Sequence, residues 1–399
     1  MNLSKLDLWM QKQEHVTSLS RIEIEQIQFC KLNHLLAREK ARGGFYKDLP
    51  EKLSSLRELS TLPFTTESQL KNHGNQMLLL SQSKVDRIRT EETSGTTGKA
   101  KRLYYSAADN ERTISFFAAG LSELVYPGEK MMICMPFSGP GGLGELIAEA
   151  ICRLGAKPIP AGIQKSYGEL LFLLDSEQPE TFVGMPVPLL SLLRLSPTCS
   201  LKRALISADA CPETVTDAVE AFLSSRLYPH YGSREMGLGG AVTCPAFSGM
   251  HLRENDIIAE IVDKSLKPVK DGEWGELVIT TIQADAMPLI RYRTKDHARL
   301  LKKRCPCGSM IARLDTVTRL GEASKITKLD NEVFQIPQII DYRATQTEEG
   351  LLIEGYKKGD CFALPDRLLG YPVIWKLCQV SKNHYPCYPA KRYLVKETK

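Results

Sequence analysis

Apolar residues at helical spacing mark the first part of the chain. They recur every three or four positions in residues 22–40 (IEIEQIQFCKLNHLLAREK), which predicts an amphipathic helix that ends before Gly43 and Gly44. Further along, Thr65 or Thr66 is a candidate N-cap of a short helix. We therefore expect a helical layer that packs on a larger body.

From Met131 onward the hydrophobic pattern changes. Short apolar runs such as KMMICMPF and KPIPAG alternate with helical segments such as GELIAEAICRLGA, which predicts a parallel sheet covered on both faces. The stretch 256–292 is rich in strand patterns and predicts a smaller antiparallel unit. After Arg319 the elements become short and mixed. We predict an α/β fold with a large N-terminal domain, residues 1–319, and a short α+β C-terminal domain, residues 320–399.

Composition and charge limit the functional classes. The 399 residues are 43% hydrophobic and 25% charged, which is typical of a globular protein, and the net charge of +5 is too small to indicate nucleic-acid binding. No apolar run is long enough to span a bilayer, and the N-terminus lacks the apolar stretch of a signal peptide. Eleven scattered cysteines indicate free thiols. We expect a cytoplasmic protein with no nucleic-acid or membrane partner.

Four cysteine and histidine residues form a candidate zinc site. Cys244 and His251 are separated by six residues, and Cys305 and Cys307 bracket one proline. Three thiolates and one imidazole make the closed tetrahedral set that suits structural Zn²⁺. The two pairs flank the strand-rich stretch, so a metal ion would join its ends. The alternative is four unrelated residues.

A glycine- and hydroxyl-rich loop is the strongest candidate for phosphate binding. Its glycines allow close backbone approach to an anion, its hydroxyls add hydrogen bonds and its lysines add positive charge. The spacing differs from the P-loop of common NTPases, because Ala100 follows the lysine. The alternative is a flexible surface turn. The candidate residues are Thr93, Ser94, Gly95, Thr96, Thr97, Gly98 and Lys99.

Several segments, in the same order, resemble adenylate-forming enzymes. TSGTTGKAK is similar to the family's phosphate loop, with Ala100 in place of the usual proline. HYGSREMG, GEWGELVIT and PLIRYRTKDHARLL are similar to its later motifs. RCPCGS and the N-terminal RGGFYKDLPEKL resemble the phenylacetate–CoA ligase branch.

This resemblance implies roles for individual residues. The loop would hold the β- and γ-phosphates of ATP. Tyr231, followed by Gly232, would stack on adenine, and Glu235 would ligate Mg²⁺ as a hard oxygen donor. Asp296 would bind the ribose hydroxyls, and Arg319 would lie at a hinge and also reach the ribose.

The resemblance also implies that the C-terminal domain is a mobile lid. Residues 332–342 (EVFQIPQIIDY) are similar to its first helical region. CYPAKRYLV resembles the terminal lysine motif, with Ala390 where glycine is usual, and this makes Lys391 the candidate catalytic lysine. The alternative for Lys391 is a solvated basic tail.

The function implied is that of a carboxylate–CoA ligase. Such an enzyme converts an acid, ATP and CoA, through an acyl adenylate, into acyl-CoA, AMP and pyrophosphate; the branch implies an aryl or arylacetic acid. The implied partners are small molecules: the carboxylic acid, ATP and CoA. A homodimer is possible, and the sequence does not decide this. Arg234 and Lys295 depart from the family pattern, so a weak or CoA-independent homologue that serves a partner protein is an alternative. A further alternative, from GPGGLG at 139–144, is a nicotinamide-dependent oxidoreductase.

Overall fold

The computed structural model describes residues 3–91, 101–319, 323–360, 363–381, 392 and 394–396. The chain forms two compact units and passes repeatedly between them. Unit 1 comprises Met1–Glu123, Gly139–Gly141 and His230–Thr318; unit 2 comprises Leu124–Ser138, Gly142–Pro229 and Arg319–Lys399. The predicted boundary near Arg319 coincides with the last return of the chain to unit 2. Domains at 1–319 and 320–399 stay a prediction.

The α-helices within these described ranges are, in chain order, α1 (Lys5–Glu14), α2 (Arg21–Arg42), α3 (Glu67–His73), α4 (Ala107–Leu121), α5 (Leu143–Arg153), α6 (Tyr167–Glu177), α7 (Pro186–Leu195), α8 (Glu213–Leu223) and α9 (Ala323–Val333). Among these same helices we find none with the length and apolarity that crossing a bilayer requires.

The strands in the same part of the chain are β1 (Arg87–Glu91), β2 (Lys101–Tyr105), β3 (Lys130–Ile133), β4 (Lys157–Pro160), β5 (Thr181–Gly184), β6 (Arg203–Ile206), β7 (Tyr228–Tyr231), β8 (Ala241–Thr243), β9 (Met250–Leu252), β10 (Ile257–Val262), β11 (Gly275–Thr281), β12 (Tyr292–Ala298), β13 (Arg313–Leu314), β14 (Thr318–Arg319), β15 (Ile339–Gln346), β16 (Leu351–Lys357), β17 (Arg367–Leu368), β18 (Tyr371–Gln379) and β19 (Leu394–Lys396).

Local capping explains where the N-terminal helices begin and end. Ser20 and Glu23 form a reciprocal capping box at the start of α2, and Gly43 ends this helix in the left-handed conformation. The helix predicted over residues 22–40 is thus confirmed. Of the two candidate caps of α3, Thr66 is the one used, and Gln69 completes its capping box.

Unit 1 combines the N-terminal helices with two antiparallel strand sets. Strands β10, β11 and β12 pair antiparallel, as the strand-rich pattern predicts. The second half of β7 pairs with β8, β8 pairs with β9, and β9 pairs with β13. One hydrophobic core lies beneath these elements, with α2 contributing Leu32, Leu35 and Leu36. Of the candidate site residues, Tyr231 ends β7, Glu235 follows in a short turn, and Asp296 lies within β12.

Unit 2 contains the parallel sheet predicted from the alternating pattern. Strands β4, β3, β5 and β6 pair parallel in that order, and the first half of β7 pairs with β6. The C-terminal region contributes α9 and a mixed sheet in the order β17, β18, β16, β15 and β19. This confirms both the α/β class and the α+β character of the C-terminal region.

Candidate active site and metal centre

Glu235 is the centre of the candidate active site. It lies in a short 3₁₀ turn, Arg234–Met236, that follows β7 and ends at Gly237 in the left-handed conformation. Its Oε1 lies 2.6 Å from Lys101 Nζ and accepts a hydrogen bond from Tyr292 Oη at 3.2 Å. The side chains of Lys101 and Glu235 are 10% and 9% exposed. This is a nearly buried ion pair at the end of β7.

The donor set around Glu235 fits a hard cation only in part. A carboxylate oxygen is the ligand type that Mg²⁺ prefers, and the ion usually keeps phosphate oxygens and water as its other ligands. Lys101 Nζ already holds Oε1 through its positive charge. A cation at Glu235 would therefore share this carboxylate with Lys101 or displace it.

Tyr231 and Asp296 form a second buried pair. Tyr231, the last residue of β7, donates from Oη to Asp296 Oδ2 at 2.7 Å. Burial and the neighbouring Asp296 carboxylate raise the pKa of Tyr231 well above its usual value, so the phenol stays protonated. The two residues assigned to adenine and ribose are thus in direct contact, although 65 positions separate them in sequence.

Gly232 is required by the packing of this turn. A Cβ atom at Gly232 would lie 1.9 Å from the carbonyl oxygen of Leu238, which no side chain allows. Gly240 is similarly restricted, because its Cβ would meet the sulfur of Met236 at 2.2 Å. The absence of a side chain at Gly232 and Gly240 therefore lets the chain fold back on itself beside Glu235. A nucleotide contact of Gly232 stays a prediction.

Arg234 and Lys295, the two residues that depart from the family pattern, both form polar contacts in the structure. The carbonyl of Arg234 accepts a hydrogen bond from Tyr105 Oη, and its guanidinium donates to Thr90 O at 3.3 Å. Lys295 has a φ of +63°, a left-handed backbone that favours glycine. Its Nζ lies 2.6 Å from Glu67 Oε2. Lys295 thus has a backbone conformation that is unfavourable for a residue with a side chain, and this side chain forms an ion pair with Glu67.

Other polar side chains line a small cavity of about 40 Å³ next to Glu235. Arg253, buried among them, donates to Met236 O at 2.7 Å and lies 3.4 Å from Asp256. Burial lowers the pKa of Arg253, and Asp256 partly offsets this effect. Arg253, Asp256 and Tyr292 are not among the site residues that the sequence predicts. Tyr292 lies within the PLIRYRTKDHARLL motif, which is the signal that points to it.

Several predicted site residues cannot be placed with these. The phosphate loop, Thr93–Lys99, and Lys391 lie outside the described residues. Arg319 ends β14 and is exposed. Arg392, the residue after Lys391 in sequence, is described, and its side chain is 6% exposed. Its guanidinium binds Asp330 and Asp341, at 2.7 Å each.

The four predicted metal ligands lie together in unit 1. The potential ligand atoms of Cys244, His251, Cys305 and Cys307 are all within 4.8 Å of one another. Cys244 follows β8, and His251 lies on β9. Since Arg313 on β13 pairs with His251, the Cys305–Cys307 turn just before β13 is brought to the same place. Strand pairing therefore joins the two halves of the motif.

The distances in this cluster fit a tetrahedral zinc ion. With Zn–S near 2.3 Å and Zn–N near 2.0 Å, tetrahedral ligands are separated by about 3.8 Å for S–S and about 3.5 Å for S–N. Cys244 Sγ and Cys305 Sγ are 3.7 Å apart, and Cys307 Sγ lies 3.6 Å from His251 Nε2. Burial lowers the pKa of His251 to about 4, which keeps the imidazole in the neutral form that binds metals.

Comparisons with known proteins give a consistent result. A family model described as AMP-binding enzyme matches residues 93–284. Phenylacetate–coenzyme A ligase of Thermus thermophilus is 26% identical over 381 residues, covering 88% of this chain and 84% of the relative. The same-named protein of Aromatoleum evansii is 30% identical over 265 residues, covering 63% and 59%.

A solved structure supports the fold. The structure of 2-hydroxyisobutyryl-CoA ligase in the postadenylation state has a TM-score of 0.75 at 17% identity, and the match covers 94% of this chain and 89% of that one. The family match spans the GPGGLG segment that suggested a nicotinamide-dependent enzyme. Residues 93–284 therefore match the AMP-binding enzymes, and the chain is similar to the phenylacetate–coenzyme A ligases over most of its length.

Proposed function

We propose that this chain is an ATP-dependent carboxylate–CoA ligase. In the first step a carboxylate oxygen of the acid attacks the α-phosphorus of ATP, and pyrophosphate leaves, which gives an acyl adenylate. In the second step the sulfur of CoA attacks the acyl carbon, AMP leaves, and the thiol proton is released. The products are acyl-CoA, AMP and pyrophosphate.

The observation that carries this proposal is the grouping of Tyr231, Glu235 and Asp296. These residues belong to separate motifs, yet the fold of unit 1 places Tyr231 on Asp296 and Glu235 four positions after Tyr231. Carboxylate activation needs charge neutralisation and positioning more than a nucleophilic side chain. An aromatic ring, a ribose-binding carboxylate and a metal-binding carboxylate supply those requirements for a nucleotide.

Neutralisation of the charge around the transferred adenylyl group is the second requirement. Glu235 would hold Mg²⁺, which supplies charge neutralisation to the phosphates when it is bound. Lys101, already 2.6 Å from Glu235, would be released to the phosphates as the cation takes its place. Arg234 adds a guanidinium where the family pattern has a hydroxyl residue. The phosphate loop and Lys391 complete the proposed machinery.

The acid is proposed to be aryl or arylacetic, because the curated relatives are phenylacetate–coenzyme A ligases. The wall beside Glu235 carries Arg253 and Asp256, so hydroxylated acids belong in the test as well. The second candidate function is adenylation without CoA. Arg234 motivates this alternative only as a departure from the family pattern, which has Ser or Thr at this position.

The first experiment is ATP–pyrophosphate exchange without CoA, across aromatic, arylacetic, hydroxy and aliphatic acids. We expect exchange with one acid class, strictly dependent on Mg²⁺. Adding CoA should then produce the thioester of the same acid. Exchange without any thioester would select the CoA-independent function. ATP binding without exchange for any acid would contradict both and favour a weak homologue that serves a partner protein.

The cysteine–histidine cluster is proposed to hold one structural Zn²⁺. Four protein ligands leave no open position for a substrate, so the metal would stabilise unit 1 and take no part in the reaction. Its S–S and S–N distances, 3.7 Å and 3.6 Å, support this assignment.

A further inference from the structure

Side chains from two different elements hold the ends of the turn that carries Glu235. Tyr105, the last residue of β2, donates from Oη to the carbonyl of Arg234 at the start of this turn. Thr113, on α4, donates from Oγ1 to the carbonyl of Gly237 at 2.9 Å, just after the turn. The backbone on both sides of Glu235 is therefore attached to neighbouring elements of unit 1.

Arg253 binds the same turn from a third direction. It directly follows β9, and its Nη2 donates to Met236 O at 2.7 Å. Its backbone N–H donates to Gly240 O at 2.8 Å, so both its main chain and its side chain contact the segment after β7. A Cβ atom at Gly237 would lie 3.3 Å from Nη2, and the absence of a side chain there gives the guanidinium its close approach. Arg253 thus holds the residue that directly follows Glu235.

The surroundings of the Arg253 guanidinium contribute little to stability. The side chain is 6% exposed, its Cζ lies 5.1 Å from the centre of the Phe116 ring, and its Nε lies 3.4 Å from Asp256 Oδ2. Among the residues that the structure describes, Arg253 Nη1 and both carboxylate oxygens of Asp256 have no hydrogen-bond partner. A buried ion pair with unsatisfied donors and acceptors stabilises a protein no better than apolar residues of similar volume. The bond from Arg253 to Met236 therefore has a better explanation in the turn that it holds.

The position of the Glu235 carboxylate depends on this turn. Lys101 and Tyr292 hold Oε1 at 2.6 Å and 3.2 Å, but they bind only the end of the side chain. A short side chain keeps its place only when its backbone is fixed as well. Misplacement of a site group by about 1 Å can cost 100-fold in rate. A residue that fixes the backbone next to Glu235 therefore matters for any cation that this carboxylate binds.

We propose that Arg253 is a positioning residue for the Glu235 carboxylate. Through Met236 O it keeps Glu235 where the carboxylate can bind the Mg²⁺ of Mg–ATP, and it contacts neither the acid nor the nucleotide itself. This inference rests on the proposed ligase function and on the magnesium role of Glu235.

The test removes both charges of the buried pair together. Arg253→Met combined with Asp256→Asn leaves no unpaired charge in the interior, and circular dichroism checks that the variant is folded. We expect the Mg²⁺ concentration that gives half-maximal ATP–pyrophosphate exchange to rise about tenfold or more, because Glu235 is displaced. The KM for the acid should stay within about twofold, since Arg253 does not touch the acid.

Two results of this titration would overturn the proposal. One is an Mg²⁺ requirement that stays within about twofold of the unmodified chain. The other is a KM for the acid that rises as much as the Mg²⁺ requirement does, because Arg253 would then contact the substrate.

Arg203 in unit 2 provides a matched control. Its Nε donates to Leu124 O at 2.7 Å, its guanidinium pairs with Glu129, and its Cζ lies 4.8 Å from the centre of the Tyr126 ring. Arg203→Met combined with Glu129→Gln removes the same kind of pair. We expect a lower melting temperature and an unchanged Mg²⁺ requirement. A control variant with an equally raised Mg²⁺ requirement would show that loss of such a pair is sufficient, which would overturn the role of Arg253.

A binding measurement tests the same inference without any reaction. The probe is Mn²⁺ together with an ATP analogue that carries a methylene group between the α- and β-phosphorus atoms, and electron paramagnetic resonance measures the bound Mn²⁺. We expect about tenfold weaker binding or more in the Arg253→Met, Asp256→Asn variant and unchanged binding in the Arg203 control. Equal affinity in the variant and the unmodified chain would overturn the proposal. If the unmodified chain shows no exchange with any acid, the ligase proposal fails, and the Mn²⁺ titration alone decides the role of Arg253.

Discussion

Glu235 illustrates how one carboxylate can have two roles at the level of a single residue. It pairs with Lys101 inside unit 1, and the ligase proposal gives it the metal as well. Lys101 and Tyr292 both bind Oε1, so the position of the carboxylate is set before any ligand arrives. Such pre-positioning is what electrostatic catalysis requires.

Glu235→Gln tests this role. We expect ATP–pyrophosphate exchange to fall at least 100-fold, because an amide cannot replace a metal-binding carboxylate. Loss of the partner of Lys101 should lower the free energy of unfolding by about 1–3 kcal/mol and leave the protein folded. Circular dichroism and thermal melting check the fold. Glu25→Gln, on the exposed face of α2, is the matched control. A folded variant with normal exchange would remove Glu235 from the metal site.

Glu39 is a residue whose charge state affects stability. Its side chain is 1% exposed, and burial raises its pKa from 4.5 to about 7, although Arg38 and Arg42 oppose the shift. Because the folded protein holds the proton more tightly than the unfolded chain, the stability from this group is complete below pH 4.5. It is lost as the pH rises towards 7.

Glu39→Gln should therefore stabilise the protein in a pH-dependent way. At pH 8 we expect the free energy of unfolding to rise by about 1–3 kcal/mol, since the buried charge is gone. At pH 5 the variant and the unmodified chain should unfold alike. Urea titrations at the two pH values measure the difference. A variant that is equally destabilised at both pH values would show that the carboxylate makes a favourable contact.

Sequence motifs name the candidate site residues, but they do not report the contacts between them. Tyr231, Glu235 and Asp296 stand in recognisable motifs. The Lys101–Glu235 pair joins positions 134 apart, and no local spacing reports such a contact. Lys295 was visible as a departure from the family pattern, but its left-handed backbone and its bond to Glu67 depend on how β12 is placed.

At the scale of elements, strand pairing builds the metal cluster. Hairpin β8–β9 carries one half of the motif, and β13 returns to β9 with the other half. C-x-C and C-x6-H spacing predicted the four residues. The structure adds the pairing that brings them to within 4.8 Å.

Metal analysis tests this cluster. Purified protein should contain about one zinc per chain. Cys305→Ser should lower the zinc content and the melting temperature together, because the metal joins strands that lie far apart in sequence. Cys378→Ser, at an exposed position on β18, is the control and should change neither. Zinc near zero in protein that melts normally would contradict the structural metal site.

The ends of a helix could be predicted from the sequence where capping residues were present. Ser20, Glu23 and Gly43 define α2, and all three can be read in the sequence. The parallel strands β3 to β6 also followed from short apolar runs. The contacts of α9 with α7 and α8 could not be predicted, because an apolar helix face does not reveal which partner covers it.

For the whole molecule, the last return of the chain to unit 2 carries the lysine motif. Arg392 anchors this segment through Asp330 and Asp341, and β19 pairs parallel with β15 just beyond it. Arg392 and β19, which follow Lys391 in sequence, are thus held by other residues of unit 2. Lys391, next to Arg392 in sequence, stays the candidate for neutralising charge during adenylation.

Lys391→Ala should slow adenylate formation more than thioester formation from a supplied adenylate. An ammonium group that stabilises the developing phosphate charge acts only in the first step. Single-turnover assays of the two steps give the comparison. Lys396→Ala, on β19, removes an exposed lysine of the same segment and should affect neither step. Equal slowing of both steps would point to a folding defect or to another lysine.

The proximity of the thiols in the proposed zinc site has a practical consequence for anyone who prepares this protein. Cys244 Sγ and Cys305 Sγ are 3.7 Å apart, and a disulfide needs about 2.05 Å, a movement well within side-chain freedom. If a chelator strips the proposed zinc in air, the two thiols can oxidise to each other, and the binding site is destroyed. Loss of metal then becomes irreversible unless a reductant is present. Zinc and reducing agent should accompany the protein from lysis onward.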